Sequence, residues 1–377
     1  MQEIEGRVLV VGGSGFYGTY LVKDLLEHTR ASITVVSRRP KAVCPETGRV
    51  KLAVCDLKDL SRLTGLARGC DVVVHCAGPF QRLPLNPLRA ALSAGRQYVD
   101  LAEDRIFARE VRELGQEAES AGVTVVSGAS VCPGLEALFA LGVRGRFDRV
   151  TSIRTIAAPD TRKHRGPAMF YTMLWGVGRG WDEPRGGEMR RVYGWTEPEW
   201  VEFPRPVGSR LTYLVLEMAN LDVLPETFGV GTVAFKAGTE HWWLNRMLQW
   251  SALLRARTGF PAWERMSIFV RGLSWLAGLV GKDEGGVIFE VGGIRGGKAA
   301  VHRLALMAER DGGFIPSALA AIVTEEILSG RLRKRGVVPV EDWIEPRRLV
   351  GYLLGRGLRL WEQESLEGEW KQVDGIS

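Results

Sequence analysis

The sequence predicts an α/β protein: an N-terminal doubly wound parallel sheet, joined to an inserted α+β domain whose sheet is mostly antiparallel. Three observations carry this. Residues 7–127 alternate short β-branched runs with helical stretches, the pattern of a parallel sheet with right-handed crossovers in the order 3-2-1-4-5-6. The first of these runs, RVLVVGGSGFYGTY (residues 7–20), turns through a cluster of glycines directly into a helix. Beyond residue 150, strand-like runs follow one another without regular helices between them. With 377 residues the chain exceeds one core, and the expected divisions are 1–133, 134–311 and 312–377.

The glycine turn comes first. Val8–Val11 reads as a buried strand, and Gly13, Gly15 and Gly18 satisfy G-x-G-x-x-G between that strand and a helix. A Cβ at Gly13 would obstruct the turn, one at Gly15 would hold a pyrophosphate away, and one at Gly18 would push the helix off the sheet. The helix start offers free N–H groups and a partial positive charge. Gly13, Ser14, Gly15, Phe16, Tyr17 and Gly18 are therefore the expected dinucleotide contacts. An ordinary glycine-rich turn is the plainer alternative, and both flanks argue against it.

The second strand, residues 31–37, ends at Ser37, Arg38 and Arg39, where an NAD site carries Asp or Glu for the ribose 2′-hydroxyl. A carboxylate would repel a 2′-phosphate, whereas a guanidinium pairs with it, so NADP is favoured over NAD. The third strand (50–55) ends at Asp56, expected near the adenine. The fourth (71–76) leads to Cys76, Ala77, Gly78, Pro79 and Phe80, expected along the middle or nicotinamide end. His75, inside an apolar strand, reads as a core histidine. A helix over 86–94, a strand at 98–100, a helix over 103–121 and a strand over 122–127 complete the sheet. The following GASVCPGL (128–135) is either a small-residue turn presenting a helix start to a substrate carboxylate or the hinge into the next domain.

In the second half the strand candidates are 209–218, 231–238, 286–297 and 298–308, with tryptophan-rich stretches expected to be helical between strands. Nine of the twelve tryptophans lie in residues 175–275. They suit an apolar pocket, a subunit interface or a membrane surface. Within 242–281, Arg246, Arg255, Arg257 and Arg271 lie among Leu, Trp and Phe, compatible with a lipid interface or with core or dimer packing. A helix through Ala318, Ile322, Ile327 and Leu328 closes at Gly330, another covers 345–356, and GEWKQVDGIS reads as a loose tail.

Net charge is +6 with dispersed basic residues, so no nucleic-acid module is indicated. The run Arg331, Arg333, Lys334, Arg335 reads as a solvated helix end. The five cysteines are odd in number and follow no metal spacing, so the expectation is a reducing compartment, no disulfide framework and no metal. The immediate start of the first strand leaves no room for a signal peptide, and no apolar stretch approaches about 20 residues. A cytoplasmic location is expected.

Together VLVVGGSGFYGTYLVKDLL, VVVHCAGPF, AGRQYVDLAED, GASVCPGLEAL, GTVAFKAG and DGGFIPSALAAIVTEEILSG…GVVP resemble the saccharopine dehydrogenase-like oxidoreductases. The resemblance implies a Rossmann domain, an inserted α+β domain, C-terminal helices returning to the nucleotide domain, and hydride transfer at a carbon–nitrogen bond; a homodimer is the expected assembly. Cys132 stands where related sequences often have Asp, and the second domain matches amino-acid dehydrogenases poorly.

None of the seven tyrosines has Lys four residues on, which removes the short-chain dehydrogenase pair. The remaining candidates for a proton source or substrate contact are Asp100, Glu103, Asp104, Cys132 and Glu136, with Tyr171, Lys236 and His241 from the second domain. Asp100 and Glu103 rank first because they follow the fifth strand; a helix cap near 103 is their structural alternative. Three readings stand: an NADP-dependent oxidoreductase acting on an imine, carbonyl or conjugated double bond of a small-molecule substrate; an NADP-responsive binding or regulatory protein; and a peripheral membrane reductase of a lipid-like substrate.

Overall fold

The computed structural model describes residues 4–162, 166–258 and 281–376. Two compact units divide the chain: Met1–Leu138 with Phe314–Glu345, and Phe139–Gly313 with Pro346–Ser377.

The first unit holds β1 (Arg7–Val11), β2 (Ser32–Ser37), β3 (Val50–Val54), β4 (Val72–His75), β5 (Gln97–Asp100), β6 (Thr124–Val126) and β15 (Gly336–Val337). All are parallel, in the order β15-β6-β5-β4-β1-β2-β3. This is the expected order with one strand added. Two residues long, β15 carries no periodicity of its own and is defined by pairing to β6. Val8 to Val11 are almost wholly buried, as befits a strand covered on both faces.

Leu9, Val11 and Val73 face a core built with α2 (Leu60–Arg68), α3 (Asn86–Ala94) and α4 (Arg105–Glu113). On the other face α1 (Phe16–His28) packs against α10 (Ile315–Leu328). Apart from Pro316, α10 is buried from Ile315 through Ile327. A helix apolar nearly all round belongs inside a core. The single helix expected over 103–121 is instead α4 followed by α5 (Gly115–Ser120). Asp104 caps α4 by accepting the Phe107 N–H at 2.9 Å, and Gly115 marks the start of the second piece.

The second unit has an eight-stranded sheet, β10-β11-β12-β7-β13-β14-β16-β17. Its strands are β7 (Arg149–Ala158), β10 (Thr196–Glu202), β11 (Ser209–Leu214), β12 (Thr232–Ala237), β13 (Gly285–Arg295), β14 (Lys298–Ala308), β16 (Arg359–Gln363) and β17 (Lys371–Val373). Every pair is antiparallel except β12 with β7, so the expected mostly antiparallel sheet is present. A separate ribbon joins β8 (Gly180–Arg185) and β9 (Glu188–Tyr193).

Two expectations are corrected here. The region 180–202 forms three strands, not helices; Trp181 and Trp200 sit on strands, as bulky aromatics suit a pleated surface. Residues 346–377 do not return to the first unit. The helix α11 (Pro346–Gly355) leads into β16 beside β14, and β17 extends the sheet. The closing stretch is thus no loose tail, because β17 pairs the outer ladder that β16 would otherwise leave open. Of the C-terminal residues, only Phe314–Glu345 joins the first unit.

Candidate functional site: the carboxyl edge of the parallel sheet

At the end of β1 the backbone turns at Gly12, whose φ is +81° and whose N–H donates to the Val36 carbonyl at 2.7 Å. A Cβ on Gly12 would lie 2.7 Å from the backbone of Ala77, beyond β4. Sequence reading assigned this turn to Gly13, but Gly12 is the residue that needs left-handed backbone and close approach. A Cβ on Gly18 would overlap the Gly12 carbonyl oxygen, so that glycine seats the helix on its own turn and not on the sheet. Gly15 differs. It is exposed, and a Cβ there meets one atom, the Gly12 oxygen at 3.0 Å, with open space beyond.

The first intrahelical bond of α1 is Thr19 N–H to Gly15 O, so the N–H groups of Phe16, Tyr17 and Gly18 precede the helical ladder. No acidic residue occupies the first turn of α1. Ser14 and Ser37 bring their hydroxyls to 3.4 Å, tying the turn to the end of β2. Arg38 and Arg39 are exposed and make no ion pair among the described residues. Asp56 is exposed, with Oδ1 accepting the Lys58 N–H at 2.9 Å. Cys76 donates its N–H to Val11 at 2.8 Å; burial pushes its thiol up, which leaves it unreactive. The chain then runs through Ala77, Gly78 and Pro79 to Phe80, whose ring meets His75 and Phe107 edge-on, each at 5.0 Å. These stretches, separate in sequence, lie side by side along one edge of the sheet. They frame an anion-accepting helix start at the point where strand order reverses.

The acidic candidates sort by access. Asp100 is fully buried at the end of β5. Its Oδ1 accepts N–H bonds from Ala102 and Gly128, each at 2.9 Å, and the Ser127 hydroxyl at 3.0 Å. Burial raises its pKa to about 6 against those bonds. Beside it, the Tyr98 hydroxyl lies 3.1 Å from His75 Nδ1, and burial lowers His75 to about 3. His75 is the neutral core histidine that its strand implied. Glu103 is half-buried: one carboxylate oxygen accepts the Ser130 hydroxyl at 2.8 Å and the Cys132 N–H at 3.4 Å. Burial raises its pKa while these bonds pull the other way.

The residues Ala129–Glu136, leading into α6 (Glu136–Val143), are all buried, Cys132 completely. The helix start expected to greet a substrate carboxylate is thus furnished with the chain's own Glu103, a contact spanning 29 residues that no local pattern announces. Within the second unit, Lys236 is committed to Glu199 at 2.6 Å, Tyr171 stacks on Trp175 at 5.8 Å, and His241 lies 3.6 Å from Glu240. Trp263, Arg271 and Trp275 fall outside the described residues. Arg331 pairs with Glu326 and Lys334 with Asp342, and Arg335 donates to Gln97, so the basic run is tied down internally. Among the described residues no group of three or more His, Cys, Asp or Glu side chains could hold a metal, and no helix is long and apolar enough to cross a membrane.

Residues 8–126 match the family model described as the saccharopine dehydrogenase NADP binding domain. Saccharopine dehydrogenase from Saccharomyces cerevisiae superposes on 98% of this chain and 100% of its own, with a TM-score of 0.68 at 15% identity. Over residues 8–126 the chain is similar to that family's NADP-binding domain. At that identity the structural match speaks for the fold, and the NADP-binding character of the first unit comes from the family model. A lipid droplet localized protein of Caenorhabditis elegans is 27% identical over 135 residues, covering 32% of each chain. A trans-acting enoyl reductase of Mycobacterium ulcerans is 28% identical over 131 residues, covering 32% of this chain and 31% of its own. The chain therefore matches about a third of the length of these curated relatives.

Proposed function

We propose that this saccharopine dehydrogenase-like chain is an NADP(H)-dependent oxidoreductase that transfers hydride to or from an imine, a carbonyl or a conjugated double bond of a small molecule. The observation that carries the reading is the β1–α1 turn: glycines packed against their own backbone at positions 12 and 18, an open Gly15, and a helix start with no acid beside it. Gly13, Ser14, Gly15, Phe16, Tyr17 and Gly18 cradle the pyrophosphate. Ser37, Arg38 and Arg39 take the 2′-phosphate, and Asp56 stands by the adenine. Cys76, Ala77, Gly78, Pro79 and Phe80 line the nicotinamide half. The bound nucleotide supplies or accepts the hydride; the protein positions it and manages the proton.

For that proton, access favours Glu103 over Asp100, which is buried and ties the β5 end to Gly128, and over Cys132, which is completely buried. The likeness to an enoyl reductase adds a conjugated double bond to the acceptors worth screening.

Fluorescence titration of NADPH and NADH against wild type and Arg38→Ala tests the assignment. A guanidinium–phosphate pair contributes about 1.5–3 kcal/mol, so the substitution weakens NADPH by roughly tenfold to a hundredfold and leaves NADH unchanged. Equal loss for both nucleotides removes Arg38 from the site. Absence of binding to either removes the oxidoreductase reading.

A further inference from the structure

The helix α9 (Trp242–Thr258) is built with two apolar faces, only one of which is buried among the described residues of the second unit. Leu244, Leu248 and Ala252 are buried, the last two packing with Leu174, Trp195 and Tyr213. Asn245 fixes the helix rotation by donating to the Leu211 and Thr239 carbonyls at 3.2 and 3.0 Å. On the opposite face Trp250 is 71% exposed, Trp242 58%, Leu254 53% and Trp243 46%, with Met247 and Leu253 also exposed. Fourteen large apolar side chains are exposed among the described residues, and six of them sit on this helix. Such concentration is unlike the scattered apolar exposure of ordinary surfaces.

Turned at 3.6 residues per turn, these six side chains fall within an arc of about 140°, and Arg246 and Arg257, both exposed, fall inside the same arc next to Trp250. From Trp242 to Thr258 there is no acidic residue. The stripe therefore combines aromatic rings, aliphatic ends and cations, with nothing to repel a negative surface.

We infer that this face of α9 docks on an anionic phospholipid surface. The helix lies in the interface plane, with Trp243, Met247, Trp250 and Leu254 immersed at the headgroup boundary. Trp prefers that level because its ring is apolar and its N–H stays wet. Arg246 and Arg257 keep their stems on the apolar side and their guanidinium groups among the phosphates. A protein partner would match the rings equally well, but an acid-free stripe flanked by arginines is the complement of a surface that is negative everywhere. The inference stands apart from the nucleotide reading.

The test uses the full chain, with NADPH binding and the far-ultraviolet circular dichroism spectrum as controls of the fold. Vesicles of phosphatidylcholine alone, and with about a third phosphatidylserine, are compared by co-sedimentation at low and high salt. Docking predicts pelleting with the anionic vesicles, weakened by salt, and quenching of tryptophan emission by lipids brominated near the headgroup. Trp243→Ala with Trp250→Ala lowers the partition coefficient by at least about tenfold, and Arg246→Glu with Arg257→Glu lowers it by tenfold or more. All four side chains are exposed, so neither pair disturbs the fold. Three results overturn the inference: no pelleting at low salt by protein with an intact spectrum, pelleting indifferent to the tryptophan pair, or a dimer in sedimentation velocity that Trp250→Glu dissociates while vesicles leave it unchanged. The last would make a second copy of this chain the occupant.

Discussion

Two junctions in the first unit share one plan and differ in what fills them. At β1–α1 and at β6–α6 a buried strand ends, glycine in left-handed backbone (Gly12, Gly128) makes the turn, and a helix begins. The first leaves its helix start without a carboxylate. The second receives Glu103 from the β5–α4 loop, on the Ser130 hydroxyl and the Cys132 N–H. A helix start favours negative charge in either case. What differs is whether the chain provides that charge itself or leaves it to a ligand. On the proposed reading the motif marks an anion site, and the surrounding loops decide whose anion occupies it.

Four substitutions would break or sharpen this contrast. The largest effect belongs to Gly18→Ala, whose new methyl overlaps the Gly12 carbonyl oxygen within a buried turn. A loss of about 3 kcal/mol or more is expected, seen as a lowered denaturation midpoint. A melting curve matching wild type would show that the turn can relax.

Next comes Asp100→Asn, read as stability against pH. The folded pKa of about 6 lies above the carboxyl's ordinary value of 3.8. The carboxyl's contribution to stability is thus complete below about pH 4 and is lost as pH rises through 6. The amide keeps an oxygen for the Ala102, Ser127 and Gly128 donors and does not titrate. Relative to wild type, the variant should gain on the order of 3 kcal/mol between pH 4 and pH 7. His75, lowered to about 3, acts in the opposite sense in both proteins, losing stability as pH falls below 6.5, and cancels in the comparison. A difference independent of pH would mean that Asp100 titrates as it does in the unfolded chain.

Gly15→Ala should leave the fold intact, since it meets a single atom, yet weaken NADPH by about tenfold or more by holding the pyrophosphate off. Equal melting with weaker binding marks the open junction; unchanged affinity would close it. The smallest effect is Glu103→Gln, which keeps an acceptor for Ser130 and Cys132 but removes its charge. Because burial outweighs those bonds and raises the Glu103 pKa, the variant should gain slightly on wild type as pH rises above the carboxylate range, with NADPH affinity unchanged. A fall in turnover at constant affinity would add a proton role to the structural one.

The contrast also explains what could be read in advance. Val8–Val11, Ile33–Val36 and Val72–Val74 are apolar runs whose burial is decided within a few residues, so the parallel sheet and its order followed from local pattern. The role of Gly12 was hidden because it depends on Ala77, far along the chain. Glu103 at the second junction was hidden for the same reason. In the second unit, Trp181 and Trp195 became core, while Trp200, Trp242, Trp243 and Trp250 stayed at the surface. Composition alone could not assign those fates, since a tryptophan satisfies a pleated sheet, a core and an interface alike. The edge strand β17 was read as a tail because its identity comes from β16, not from three residues of its own.

One feature of the first unit bears on how the protein is made. The helix α10 covers the face of the sheet that α1 begins, and it is encoded about 190 residues after the last of β1–β6. A ribosome that has delivered all six strands has still not delivered the layer that closes them. Until translation passes Leu328, the nascent nucleotide unit presents raw apolar strand surface, the kind of intermediate that chaperones retain and that aggregates when they do not. A fragment ending at Leu138 would inherit that exposure permanently.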